Sequence, residues 1–383
     1  MKRSAFLLAA LGAFAGAVHA QSAVTLYGLI DDGFAYVNNV GGHKLYELSA
    51  GNLQASRWGL RGSEDLGQGL RAIFTLENGF SPNTGALGQG GNMFGRQVFV
   101  GLSSDALGTV TLGRQYDSVV DFTGIFMAAD QWMSYYGAHP GDLDNMNDTL
   151  RVNNAIKYKS PTYGGFTFGG LYSLGGIAGQ FNRNQIWSVG ASYYAGPLAL
   201  AAAYLNVKDP NFSFFGNNPL SSTTGANMSS RVYSGYASAK TQQVITAAAS
   251  YAFGAATAGV TYSNTQFKDI GALAGLPATG RGGTAKFNNV EANFKYQITP
   301  ALVLGVAYDY TKGGGVNDAT YHQVMLGADY FLSKRTDVYA NGVYQHASGT
   351  DSTGQQAVAN INGLAASSTA NQVVATVGIR HKF

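Results

Sequence analysis

The segment Asn371-Gln372-Val373-Val374-Ala375-Thr376-Val377-Gly378-Ile379-Arg380-His381-Lys382-Phe383 alternates in polarity. Val373, Ala375, Val377, Ile379 and Phe383 share one face; Thr376, Arg380 and Lys382 share the other, and His381 is the one exception. A strand with this period-two pattern belongs either to a soluble sheet with one wet face or to a membrane span with one face in lipid. The pattern recurs in 287–298, where Val290, Ala292, Phe294, Tyr296 and Ile298 oppose Asn289, Glu291, Asn293, Lys295 and Gln297. It recurs again in 70–78, where Leu70, Ala72, Phe74 and Leu76 oppose Arg71, Thr75 and Glu77.

Composition favours the lipid reading. Charged residues make up 12% of the 383, about half the ~25% usual in soluble chains, while 45% are hydrophobic, which excludes a disordered chain. There is no cysteine, so a disulfide scaffold, a thiolate metal site and a cysteine nucleophile are excluded. Residues 1–20 read as a cleaved signal peptide: Lys2 and Arg3, an apolar run from Ala5 to Val18, and small residues at Val18 and Ala20 before Gln21. Without Lys2 and Arg3 the formal charge of +3 falls to +1, 22 basic against 21 acidic residues, which gives no ground for nucleic-acid binding. After Gln21 no run of about 18 apolar residues exists, so a membrane span has to be β.

Sixteen strands are predicted, near 24–37, 52–63, 69–80, 95–103, 109–116, 151–159, 166–174, 185–194, 198–207, 241–252, 256–265, 286–298, 301–311, 320–332, 335–346 and 371–383. The fold expected is all-β, a transmembrane antiparallel barrel with an even strand count. Seven short connections (64–68, 104–108, 160–165, 195–197, 253–255, 299–300 and 333–334) alternate with eight long ones (38–51, 81–94, 117–150, 175–184, 208–240, 266–285, 312–319 and 347–370). Short turns at one end and long loops at the other is the arrangement of an outer-membrane barrel. Tyr194, Phe253, Tyr296, Tyr330 and Phe383 sit where strand ends meet the interface and suit an aromatic girdle.

Several stretches also resemble the trimeric Gram-negative porins of the beta-proteobacterial and neisserial type, nearly end to end. They are Val24-Thr-Leu-Tyr-Gly-Leu-Ile-Asp31, Ser56-Arg-Trp-Gly-Leu-Arg-Gly-Ser-Glu-Asp-Leu-Gly67, Gly95-Arg-Gln-Val-Phe-Val-Gly-Leu102, Gly108-Thr-Val-Thr-Leu-Gly-Arg-Gln115 and the terminal Phe383. The resemblance implies a single barrel domain over 21–383, a homotrimer in the bacterial outer membrane and passive diffusion of small hydrophilic solutes and ions. It implies a third extracellular loop, here 117–150, folded into the pore as a constriction. It further implies contact with membrane lipid and lipopolysaccharide, and handling by the barrel assembly machinery through the C-terminal strand ending in Phe383.

Strand parity assigns the pore charges independently of the family. With Trp58 and Leu60 facing lipid, Arg57 and Arg61 face the lumen; Arg71 and Glu77 do likewise on the next strand. With Val152, Ile156 and Tyr158 outward, Arg151, Asn153, Lys157 and Lys159 point inward. An arginine on the lipid face at mid-membrane would cost about 2–4 kcal/mol. Arg96 shares parity with Val98, Val100 and Leu102, as Arg114 does with Val110 and Leu112; the resemblance nevertheless places a pore arginine at Arg96. Opposite, segment 117–150 carries Asp117, Asp121, Asp130, Asp142, Asp144 and Asp148 and no Lys or Arg. Bases on the wall against acids on the loop predict a weakly ion-selective pore leaning to anions, with Arg57, Arg61, Arg71, Arg96, Arg151, Lys157, Asp117, Asp121 and Asp130 as the lining set.

No cofactor and no enzymatic activity are expected, since the nucleophile-elbow, zincin and phosphate-loop motifs are all missing. The five histidines left after His19 have no metal-ligand spacing. Asp142-Leu-Asp-Asn-Met-Asn-Asp148 is similar to a calcium loop but lacks glycine at its sixth position and Glu at its twelfth, Asn153. The alternatives to a general diffusion pore are a substrate-specific channel, for which Trp132, Tyr135 and Tyr136 are the only aromatic hint, and a barrel adhesin or enzyme.

Overall fold

The computed structural model describes residues 23–217 and 227–383; the signal-peptide reading of 1–20 lies outside the described residues. Among the described residues seventeen strands form one sheet. They are β1 (Ala23–Val40), β2 (His43–Ala50), β3 (Arg57–Gly67), β4 (Leu70–Gly79), β5 (Gln97–Ser104) and β6 (Gly108–Gln115). Then follow β7 (Val152–Lys159), β8 (Phe166–Ser173), β9 (Ile186–Ala195), β10 (Leu198–Lys208), β11 (Thr241–Phe253) and β12 (Ala256–Lys268). The last five are β13 (Ala285–Thr299), β14 (Leu302–Gly315), β15 (Thr320–Phe331), β16 (Thr336–Ser348) and β17 (Asn371–Lys382). Every pairing is antiparallel, and β1 pairs with β17 from Leu29 opposite Lys382 to Val37 opposite Val374, which closes the sheet.

Seventeen strands make sixteen staves because β2 and β3 are two parts of one. Both pair with β1, β2 along its later half and β3 along its earlier half. The stretch 38–51, expected as a long loop, is mostly a hairpin. Its tip is Gly41-Gly42 with φ of 59° and 101°, two successive left-handed residues of the kind a two-residue hairpin turn demands. The segment expected as the start of the second strand, 52–56, instead leaves the sheet together with Gly51.

The outward faces carry the apolar halves of the alternation: Val100, Leu102, Ile156, Val306, Leu326 and Val377 are all exposed. In a closed barrel this surface faces lipid, and closure satisfies every backbone group that lipid cannot. Tyr194, Phe253, Tyr296, Tyr330 and Phe383 are likewise exposed, at the short-turn end, while Tyr262, Tyr308 and Tyr344 are exposed toward the other end. The buried core lies inside the barrel, where the connection 117–150 packs against the inner wall.

Candidate functional site

The connection after β6 begins with a cap. Asp117 is fully buried, and its carboxylate accepts the Val119 N–H (2.7 Å) and the Asn145 side-chain amide (2.7 Å), starting the short helix α1 (Ser118–Phe122). An aspartate in this role satisfies otherwise orphaned helical N–H groups. The chain then runs around the inner wall. Phe122 and Phe126 pack on Ala201 and Ala248, and Val119, Met127 and Met146 on Ala155, Leu171, Leu205 and Val244. After α2 (Ala128–Gln131), Trp132, Met133 and Tyr136 pack on Ala307, Met325, Val343 and Val374. Trp132 lies in a recess made by two glycines: a Cβ on Gly305 would come within 2.1 Å of its ring and one on Gly327 within 2.8 Å.

A buried ionic cluster completes the attachment. His139 Nδ1 lies 2.6 Å from Asp144 Oδ2, and its Nε2 lies 3.9 Å from both Glu291 and Asp309 on the wall. Glu291 also accepts the Ala128 N–H at 2.8 Å. Burial opposes a charge on His139, but the Asp144, Asp309 and Glu291 carboxylates outweigh it and lift its pKa to about 10. Burial pushes Asp144 up, and the His139 charge and hydrogen bond more than reverse that, holding it below the usual range. Burial raises Asp117 and Asp142 to about 6.

The returning run Asp142–Asp148 folds on itself. Asp142, Asn145 and Asp148 adopt φ of 46°, 59° and 57°, a region that Asp and Asn tolerate better than other side chains. The oxygens of Asp142 accept the Asn147 and Thr149 N–H groups (2.9 and 3.0 Å). The carboxylate that a calcium loop would place first is thus occupied by its own backbone.

A space of 490 Å³ is open on the side of β3 to β7, and a second of 500 Å³ adjoins it at Tyr135, Thr149 and Asn362. Arg57, Arg96 and Arg151 border the first from the wall; Asp130, Asp148 and Asn147 border it from the loop. Arg96 Nε donates to Glu77 at 2.9 Å, and its Nη2 reaches Asp148 at 3.5 Å. Arg151 donates to Asp148 (3.0 Å) and Tyr116 (3.2 Å), its guanidinium 5.1 Å from the Tyr116 ring centre. Arg57 lies 3.7 Å from Glu77, which Tyr27 also binds. Asp130 accepts a hydrogen bond from Asn147 at 3.0 Å.

The structure therefore brings together Arg57, Arg96, Arg151 and Asp130 and separates the rest of the expected set. Asp117 belongs to the interior of the loop, because its oxygens cap α1. Asp121 and Lys157 form an ion pair with each other, and Lys157 also donates to the Tyr116 carbonyl at 3.0 Å. Arg61 lies four residues from Arg57 toward the short-turn end, its guanidinium 5.4 Å from the Tyr27 ring centre. Arg71 pairs at 2.6 Å with Asp105 in the turn between β5 and β6, at the rim and away from the open space. Arg96 escapes the parity argument because β5 begins at Gln97. Arg114 stays outward, buried against the Gly95 and Gly216 carbonyls (2.8 and 2.9 Å) and Asn153. Val152, expected in lipid, is fully buried inside the barrel: Asn154 has a φ of 53°, and the register slips between Gly113 and Gln115, which reverses parity at this end. Glu77, read as lumen-facing, and Asp148, counted among the loop acids, were left out of the lining set, and segment 51–56, which no local signal marks, was missed.

A profile of the Gram-negative porin family matches residues 7–350. An outer membrane porin protein of Bordetella pertussis is 30% identical and outer membrane porin protein 32 of Delftia acidovorans 32% identical, each over the whole of both chains. Among solved structures, the anion-selective porin from Comamonas acidovorans superposes with a TM-score of 0.74 at 24% identity, covering 94% of this chain and all of that one. A closed antiparallel barrel whose outer face is apolar agrees with that family. The chain belongs to the Gram-negative porins: it is a bacterial outer-membrane channel for passive diffusion, not an enzyme.

Proposed function

We propose that this channel passes small hydrophilic solutes with a weak preference for anions, that loop 117–150 is its constriction, and that it works as a homotrimer after removal of residues 1–20. The observation that carries the ion preference is the border of the open space. Three guanidiniums face it against two carboxylates, with Glu77 set behind Arg57 and Arg96. Charges fixed around a narrow passage select ions by sign, and the near balance keeps the preference weak. The similar protein from Comamonas acidovorans is described as anion-selective, which supports the same sign here. General diffusion is favoured over a substrate-specific channel because Trp132 and Tyr136 are buried against the wall, leaving Tyr135 alone of the three at the passage.

One of the related solved structures, OmpT of Vibrio cholerae, is described in a trimer form, in keeping with a homotrimer. Lipopolysaccharide contact at the outer rim and recognition of the last strand by the barrel assembly machinery complete the proposal; the outward placing of Phe383 supports the latter. The decisive experiment is a reversal potential in a salt gradient across a planar bilayer. An anion-selective sign that disappears on replacing Arg57, Arg96 and Arg151 by glutamine is expected. A cation-selective sign in the unaltered channel would overturn the preference.

A further inference from the structure

The second stave is interrupted where the first is not. Leu29 pairs with Arg57 and Asp32 with Ala50, so only Ile30 and Asp31 stand opposite the six residues 51–56. The surplus turns into the lumen, where Gly51, Leu53, Gln54 and Ala55 border the same open space as Arg57.

Asp31 is the centre of the contacts that hold this excursion, joined by the Ser56 hydroxyl and by Asn52, whose side-chain amide donates to the Ser49 carbonyl (2.8 Å) and the Tyr339 hydroxyl (3.1 Å). Asp31 is fully buried. Its Oδ2 accepts the N–H groups of Leu53 (2.9 Å) and Gln54 (2.8 Å), and its Oδ1 accepts the Tyr339 hydroxyl (2.6 Å). The Asp31 backbone closes the base of the excursion through Gly51 (2.8 Å) and the Ser56 hydroxyl (3.0 Å in each direction). Hydrogen bonds to an ionised acceptor are the stronger kind, and two adjacent N–H groups on one carboxylate oxygen fix a backbone turn that no ladder holds. The far side of the excursion touches both partners at the constriction. The Asn52 carbonyl accepts the Tyr135 N–H of the loop at 2.8 Å, and the Ala55 carbonyl accepts from Arg57 Nη1 at 3.2 Å.

We infer that segment 51–56 is a second constricting element, and that Asp31 is a positioning residue which, through it, sets the width of the passage and the placing of Arg57. The inference rests on the channel reading but is independent of the sign of ion selectivity. Asp31 never meets the solute; it acts through the backbone it holds.

The absence of cysteine permits a direct test with Gln54→Cys. Modification by a bulky charged methanethiosulfonate should lower single-channel conductance, and the same modification in an Asp31→Ala background should lose most of that block. Asp31→Ala alone should raise conductance roughly 1.5-fold and lift the size limit for sugars in liposome swelling, since pore width sets both. Asp31→Asn, which keeps one acceptor oxygen, should restore much of the difference. A merely structural role would lower the yield of folded barrel without moving the size limit. Folded Asp31→Ala channels with unchanged conductance and size limit would overturn the inference. So would a fully modified Gln54→Cys channel that conducts as before, a result that needs no Asp31 variant to fold.

Discussion

Loop 117–150 meets the barrel wall in two different ways. Toward β8 to β16 it is glued: Phe122, Trp132 and Met133 sink into recesses of small wall residues, and His139 joins Asp144, Glu291 and Asp309 out of water's reach. Toward β3 to β7 Asp130 borders an open space, while Asp148 is joined to Arg96 (3.5 Å) and Arg151 (3.0 Å). The apolar attachment fixes where the loop lies, and the passage is the gap left on the other side. Asp148 thus helps tie the loop to this wall, whereas Arg57, bound to Glu77 and the Ala55 carbonyl, is the base best placed for the proposed selectivity without holding the loop.

The largest effect is expected at Trp132 on the glued side. Trp132→Ala should cost about 3–5 kcal/mol, as for other large buried aromatic truncations, measured by denaturant unfolding of the refolded barrel, and should make conductance noisy as the loop loosens. Unchanged stability would show that the glued side is not apolar in its energetics. His139→Ala comes next: it leaves Asp144, Glu291 and Asp309 without their cation, and breaking a buried ionic cluster this way costs about 3 kcal/mol.

The same residue fixes a pH dependence. Its folded pKa of about 10 lies above its ordinary value near 6.5, so its stabilisation is complete below about pH 6.5 and is lost as pH rises through about 10. The unfolding midpoint of the unaltered channel should fall between about pH 6.5 and 10, and His139→Ala should flatten that fall. On the open side the effects should appear in selectivity rather than stability. Arg57→Ala should move the reversal potential toward cations while changing stability by less than about 1 kcal/mol, because its contact with Glu77 is long and partly solvated. The smallest effect belongs to Arg71→Ala at the rim, where conductance and reversal potential should stay as they are.

The barrel was legible because lipid on one face and water on the other impose a period-two alternation that few other environments enforce over so many segments. Arg57 was legible for the same reason, whereas Arg151 was placed at the lumen from an outward Val152 that in fact points inward, Arg151 lying one residue before β7 begins. Parity fails where the backbone slips: Val152 reverses across the irregularity at Asn154, and Arg96 lies one residue before its strand begins. Loop acids are harder still, since Asp117 and Asp130 are equal in sequence and opposite in role, one spent on a helix N-terminus and the other facing the passage. Segment 51–56 was illegible because its shape is dictated by Asp31 and Tyr339, which lie far off in sequence. The Gly41-Gly42 pair, by contrast, was a readable hairpin signal.

The seam between β1 and β17 has a consequence for how this molecule is made. Gly28 and Phe383 exchange backbone hydrogen bonds of 3.1 and 3.0 Å across nearly the full length of the chain. Until that exchange is made, two strand edges carry unpaired N–H and C=O groups that hydrocarbon cannot solvate. A growing sheet is therefore a poor membrane guest at every stage but the last. Contacts between such distant residues form slowly, so insertion and circular closure should be a single late event, with the open ribbon kept in aqueous surroundings or in the care of another protein beforehand.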